Sequence, residues 1–341
     1  MNDREVRNLK ETLDKFGFQM DFDHLMKAMS DDINSGRFSI SEMGRNKATN
    51  GLFVNEWHIG RKEGEKERSL IGIDVTQRNY LPIPDQDFGG LKVKDLERSM
   101  KEIDWLLFGN NIDLMQMGGN GVDLDKHVAN ILVGLAILAN LSNREARAIH
   151  SKLEYNFFLF TPFETDSPGL DALKNAHLRS ISIDPNDQNA ITTRQAHNIL
   201  DDRFTRVTLK DGVSGEFKDK WIGADFSVKD ERGRSPLRFI EGSESFDLIK
   251  AIDNAHVQNA GFIKGNYAKL SRFTEGDAVA LPVERNGEVG IRVFYADPVK
   301  DRLSIDQKET ARRGFYKEQG ITPERVIKRD QDFDDRRNRR Q

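Results

Sequence analysis

The sequence predicts an α+β protein, with antiparallel sheets covered by amphipathic helices, and three observations carry that prediction. Runs such as LFVNEWHI at 52–59 and SLIGIDV at 69–75 alternate apolar and polar residues, the period of a half-buried strand. Val6, Leu9, Leu13 and Phe16, then Phe22, Leu25, Met26, Met29 and Ile33, recur at helical spacing. Near the end, AVALPVE, the turn RNGE, VGIRVFYA, the turn DPVKD and RLSI read as a meander, and Asn286-Gly287 between two alternating runs is a strong hairpin signal.

Taken in order, the first helix ends at Gly17, which tolerates a left-handed backbone, and Asp21 or Asp23 stands near the start of the second. RFSIS turns extended, 44–50 and 79–90 read as loops, and Leu91, Leu96, Met100 and Ile103 mark an amphipathic helix. The most apolar stretch is Asp125 to Phe163. Within it Val128, Ile131, Leu132, Leu135, Leu138 and Leu141 lie at helical spacing, and Val133 and Ile137 add apolar surface outside that stripe. A helix apolar almost all round is expected to be buried. A membrane span needs roughly 20 apolar residues, and this run is shorter and interrupted by Asn130 and Asn140. A core helix is therefore expected, with no membrane association.

Ser142 followed three residues later by Glu145 has the pattern of a capping box for a helix over Arg144 to Leu153. The next segment, NFFLFTPF, has the composition of a buried strand. Further strands are expected at 178–183, 206–209, 220–228 and 237–240, a helix at 191–200, and another over Ser245 to Asn259 ended by Gly261.

The second half echoes the first. NFFLFTPFET at 156–165 answers NGLFVNEWHI at 50–59, LRSISI answers LIGIDV, and ITTRQAHNIL at 191–200 answers LKVKDLERSM at 91–100. Two degenerate repeats around a central buried helix pair are one reading of this, and chance similarity is the other. The corresponding division is an N-terminal α+β unit at 1–110, a central helical insertion at 111–154, a C-terminal α+β unit at 155–306 and a mobile charged tail at 307–341. On that division Leu132, Leu135 and Leu138 would touch both halves.

Composition excludes more than it assigns. The chain has 341 residues, enough for at least one sizeable core, and no cysteine, so disulfides, thiolate catalysis and thiolate metal sites are ruled out. Its 52 basic and 56 acidic residues leave a net charge of -4, too small to imply a charged partner by itself. No signal-peptide pattern is seen at the N-terminus, and cytoplasmic residence is the expectation.

Individual motifs point only weakly to chemistry. MGGNGV at 117–122 could present amides to phosphate at a helix start, but the third glycine of a dinucleotide loop would fall at Leu124 and no Gly-Lys-Ser/Thr follows, which favours a plain turn. The seven histidines form no His-x-His, His-x-x-x-His or His-Glu-x-x-His pair. His127 and His150 lie on neighbouring central helices, and Glu56 and His58 share one face of a strand, where acid-base work competes with a surface pair. Asp31-Asp32, Asp184 to Asp187 and Asp201-Asp202 could hold a hard cation, but DPNDQNA lacks calcium-loop spacing and all three fit loop and cap roles better. No cofactor and no metal is expected. Lys264, Tyr267, Lys269 and Arg272, with the basic end Arg336, Arg337, Arg339 and Arg340, make a basic-aromatic candidate for nucleic acid, opposed by aspartates at 330, 332, 334 and 335.

Three segments resemble a family of uncharacterised Bacteroidetes proteins associated with conjugative and mobile elements. They are LKETLDKFGF with HLMKAMSDDINSGRFSI, then Ile191, Thr192, Ala196, Asn198, Leu200 and Arg203 of an "IT...A.N.L..R" pattern, and the part from Lys220 to Asp306. The chain departs from that family at Leu81 to Leu153. The resemblance implies architecture and a mobile-element setting, with no catalytic residues to carry over. The expected function is a non-catalytic interaction or accessory protein that binds protein or nucleic acid. The alternative is a cytosolic enzyme with a pocket between the halves near Gly118-Gly121.

Overall fold

Helix α1 (Asp3–Phe16) buries Val6, Leu9 and Leu13 on one face. Gly17, at φ +96°, ends it in a left-handed conformation. A Cβ at Gly17 would meet Thr193 Oγ1 at 2.8 Å, so both the conformation and the close approach call for glycine. Helix α2 (Phe22–Asp31) follows, with Leu25 and Met29 buried. The computed structural model describes residues 3–19, 22–31, 37–46, 51–62, 64–65, 67–105, 124–187, 189–210, 217–257, 260–285, 288–307 and 310.

The chain is α+β, as its sequence predicts, and its sheets are antiparallel. Strands β1 (Arg37–Asn46), β2 (Gly51–Arg61) and β3 (Arg68–Arg78) lie side by side, and β6 (Leu178–Ile183) completes a four-stranded sheet in the order β1-β2-β3-β6. One face is apolar: Ile40, Trp57, Ile59, Ile73, Val75, Ile181 and Ile183 are buried in one cluster with α1, α2 and helix α7 (Thr193–Leu200). Phe18 meets the Trp57 ring edge-on at 5.1 Å, and the indole donates to Glu42 at 2.8 Å.

Helix α7 starts at a capping box, with Gln195 N–H donating to Thr192 Oγ1 and the Gln195 side chain accepting from the Thr192 amide. Beyond it come the sheet β7 (Thr205–Lys210), β8 (Phe217–Ala224) and β9 (Leu237–Phe239), and the meander β10 (Val279–Arg285), β11 (Glu288–Asp297) and β12 (Arg302–Ile305). Strands β10 and β11 pair antiparallel up to Arg285 opposite Glu288, as the hairpin signal predicts, and Asn286-Gly287 lie outside the described residues. Helices α8 (Leu248–Asn254), α9 (Ala260–Gly265) and α10 (Tyr267–Thr274) lie between the two sheets in sequence.

The chain divides into two compact units, Met1–Gln77 with Arg179–Gln341, and Arg78–Leu178. This is a different division from the four consecutive segments expected from sequence. The second unit contains the two-residue pair β4 (Asp87–Phe88) and β5 (Leu91–Lys92), then helices α3 (Val93–Lys101), α4 (Leu124–Asn140), α5 (Arg144–Phe157) and α6 (Pro168–His177). Its core joins Val93, Leu96 and Met100 of α3, Val128, Ile131, Leu135 and Leu138 of α4, and Ile149 and Leu153 of α5. Gly134 lets α4 approach α3, because a Cβ there would stand 3.1 Å from Leu96 Cδ1.

Several expectations are corrected. Helix α4 is not buried all round: Leu132, Val133 and Ile137 are 40%, 59% and 43% exposed, while Leu135 and Leu138 are buried. Among the described residues no helix is long and apolar enough to cross a membrane. The cap of α5 is Asn143, whose side chain accepts from the Glu145 and Ala146 amides, and not Ser142. NFFLFTPF is the end of α5 and the turn after it, not a strand, because Tyr155 and Phe158 are buried as the continuation of a helix. LRSISI joins the first sheet instead of opening a second, so the proposed repeat loses two of its three correspondences. The 245–259 helix is a short 3-10 turn followed by α8, and Gly261 lies inside α9. Helix α6 is missed by the sequence reading, although Ser167-Pro168 is a start signal and Ser167 caps Leu170 N–H.

Charge burial in the second unit centres on Glu97, which accepts from Lys94, Lys101 and Tyr80. Burial pushes its carboxyl up, and these three bonds outweigh burial and hold it at about 2 against an ordinary 4.5. A lowered carboxyl contributes stability that is complete above the ordinary value and is lost as pH falls from about 4.5 towards 2. Glu97→Gln is expected to destabilise the protein by about 2 kcal/mol at neutral pH, the two lysine heads being partly exposed and screened. Denaturant titrations at pH 7 and pH 3 check this, with the difference from wild type shrinking at the lower pH.

Candidate functional site

The sheet β1-β2-β3-β6 has a second, polar face. The register pairs Ser39 with His58 and Ser41 with Glu56, and the side chains of β2 alternate, so Glu56 and His58 share the side opposite Trp57 and Ile59. His58 Nδ1 lies 2.8 Å from Ser39 Oγ, and Nε2 lies 3.0 Å from Asp74 Oδ2. Asp74 Oδ1 accepts from Arg234 Nη1 at 3.2 Å, and Ser182 also bonds the carboxylate. Glu56 Oε1 is 4.0 Å from His58 Nδ1. A row of polar side chains thus crosses all four strands.

Arg234 reaches this face from the β8–β9 connection. Its Nε donates to Asp230 at 2.8 Å, and the next residue's amide, Ser235 N–H, donates to Ser180 O at 2.7 Å, which pins the connection to β6. Burial pushes the Asp74 carboxyl up, while bonds from His58, Ser182 and Arg234 more than reverse that and hold it below the usual range. An ionised Asp74 only accepts, so His58 Nε2 carries a proton, and in the neutral ring Nδ1 accepts from Ser39.

Ser39, His58 and Asp74 have the composition of a nucleophilic triad but not its setting. An acyl-transfer site needs donors aimed at an oxyanion beside the nucleophile, usually on a sharp turn. Ser39 lies within the extended strand β1, whose N–H groups point along the plane of the sheet and not towards the side-chain face. Arg234, which reaches this row, is committed to Asp74 and Asp230. What the arrangement can do is bind. Among the described residues, Glu56, His58 and Asp74 are the group of three whose ligand atoms lie within 4.8 Å of one another.

The other sequence candidates are dispersed. Lys264 pairs with Asp253 at 2.7 Å. Arg272 Nε donates to Asp277 at 3.3 Å, where Arg194 and Asn198 also converge. Asp277 is buried, which pushes its carboxyl up, and the two guanidiniums with Asn198 reverse the effect and hold it low. Arg272 is therefore part of a structural node. Tyr267 is 85% exposed, and Lys269 is partly buried, its amide capped by Asn266. Arg336, Arg337, Arg339 and Arg340 lie outside the described residues, as does MGGNGV. His127 and His150 each face a carboxylate, Glu102 at 3.6 Å and Glu154 at 3.4 Å. Asp184 and Asp187 cap their own turn, and Asp202 pairs with Arg179 at 2.7 Å.

Sequence reasoning found Glu56 and His58 but missed Ser39, Asp74, Ser182 and Arg234. Ser39 and Asp74 were reachable by aligning the apolar faces of neighbouring strands. Arg234 comes from a loop distant in sequence, and no local pattern announces it. No known protein family, curated protein or solved structure matches this chain.

A serine-directed fluorophosphonate reagent is expected to leave Ser39 unlabelled, with wild type and Ser39→Ala indistinguishable by intact mass. Stoichiometric labelling lost in Ser39→Ala would instead indicate an activated nucleophile.

Proposed function

We propose that this chain is a non-catalytic interaction protein, an accessory factor that binds a protein partner along the outward face of α4. The observation that supports this reading is the exposure of Leu132, Val133 and Ile137 at 40%, 59% and 43% on a helix whose opposite face is buried in a core. Ala129, Ala136 and Ala139 are exposed on the same helix. Small residues beside branched ones make a surface into which the ridge of a second helix can pack, and the partner segment that fits is itself an amphipathic helix. Contiguous apolar surface facing water is a recognised mark of such sites. Six side chains are few beside the roughly 20–30 residues a side of a stable complex, so α4 serves a transient contact or the centre of a larger one.

Nucleic-acid binding is the weaker form of the proposal, because Lys264 and Arg272 are held in internal ion pairs. The mobile-element setting rests on the resemblance of three sequence segments alone. The enzyme alternative rests on Gly118-Gly121, outside the described residues.

The proposal requires that the outward stripe matter for binding and not for folding. Val133→Glu with Ile137→Glu is expected to shift the thermal midpoint by no more than a few degrees, whereas Leu135→Ala costs about 2–5 kcal/mol. A photo-crosslinking residue at Val133 is expected to give a discrete adduct that Ile137→Glu abolishes. Unfolding by Val133→Glu, or no adduct from Val133, would refute the assignment.

A further inference from the structure

The polar row on the four-stranded sheet carries an inference independent of α4. We propose that Glu56, His58 and Asp74 form a binding site for a first-row divalent transition-metal ion. One ligand atom from each lies within 4.8 Å of the others, all on adjacent strands and all partly open to solvent.

The bonding pattern separates inner atoms from outer ones. His58 presents Nε2 and Asp74 presents Oδ2 to each other at 3.0 Å, while the remaining polar atoms of both residues are held from behind. Ser39 holds His58 Nδ1 at 2.8 Å, and Arg234 holds Asp74 Oδ1 at 3.2 Å. Metal-bound histidines and carboxylates are oriented in this way by outer partners. With metal–ligand bonds of about 2.0–2.2 Å, a 3.0 Å N···O separation subtends roughly a right angle at the ion, the relation of neighbouring ligands in five- or six-coordinate sites. Glu56, 46% exposed at its side chain, rests with Oε1 4.0 Å from Nδ1, the other ring nitrogen, and becomes the third ligand only by rotating about its own bonds towards the Nε2 side, with water completing the shell.

One imidazole with two carboxylates suits a borderline ion such as Zn²⁺, Mn²⁺ or Ni²⁺ better than Mg²⁺, which prefers oxygen and retains its water. Binding at Nε2 requires the neutral ring to change tautomer: the ion takes the place of the Nε2 proton against Asp74, Nδ1 carries the ring's N–H and donates it to Ser39 Oγ, and no net proton is released. Arg234 stays on Oδ1, where it limits the net positive charge the site accepts and favours a site with two carboxylates over one.

The test uses the full chain, tag-free and chelator-treated, and Zn²⁺ itself, titrated calorimetrically near neutral pH. One saturable site is expected, with little response to Mg²⁺. His58→Gln and Glu56→Gln should each weaken binding tenfold or more, and Ser39→Ala, which removes only the outer partner, about tenfold. His127→Gln, on a different histidine–carboxylate pair, should leave it unchanged. Glu56 is exposed enough that Glu56→Gln folds normally, and circular dichroism verifies this for each variant. Absence of saturable Zn²⁺ binding, or wild-type affinity in both His58→Gln and Glu56→Gln, would overturn the proposal.

Discussion

One-sided burial of the four-stranded sheet is the constraint from which the rest of the larger unit follows. Trp57, Ile59, Ile73, Val75, Ile181 and Ile183 must all face α1, α2 and α7, and a slip of one residue in any strand would turn that strand's apolar set to water. Burial of six such side chains is worth on the order of 10 kcal/mol at 1.5–3 kcal/mol each, far more than any single polar contact on the other face. The apolar face therefore sets the register, and the polar row of Ser39, His58, Asp74 and Ser182 is aligned as a consequence. Arg234 then only has to be delivered, which the Ser235–Ser180 backbone bond does.

The buried charges follow a common rule: each carboxylate taken from water is surrounded by donors. Asp277 collects Arg194, Arg272 and Asn198, and Arg203 bridges Asn198 to Asp306 at 3.1 and 2.9 Å. This gives a physical meaning to the "IT...A.N.L..R" residues. Thr192 caps α7, Ala196 and Leu200 are buried, and Asn198 with Arg203 ties the helix to the segments that carry Asp277 and Asp306. In this chain these residues hold the helix in place. Glu97 obeys the same rule in the other unit.

How much of this was legible in the sequence depended on whether the deciding interaction is local. The α+β class, the end of α1 at Gly17 and the closing meander are set by short-range periodicity and turn chemistry, and they were readable. The run Asn156 to Phe163 reads as a strand because a dense aromatic run suits either structure. Burial of Tyr155 and Phe158 against distant residues decides for a helix and a turn. The same ambiguity hid the outward face of α4, where Leu132 and Val133 are as apolar as Leu135 but point elsewhere. At the candidate site, strand alternation placed Glu56 beside His58, whereas Ser39 and Asp74 required the pairing of strands and Arg234 required a long-range loop.

The central claim is that sheet register fixes His58 between Ser39 and Asp74 as an oriented donor-acceptor ring. Long-range ¹H–¹⁵N correlation of the imidazole nitrogens, with His58 assigned through His58→Gln, tests it directly. In the neutral ring a protonated Nε2 and an unprotonated Nδ1 are predicted. The opposite tautomer, or shifts averaged over both nitrogens as for a freely solvated ring, would contradict the account.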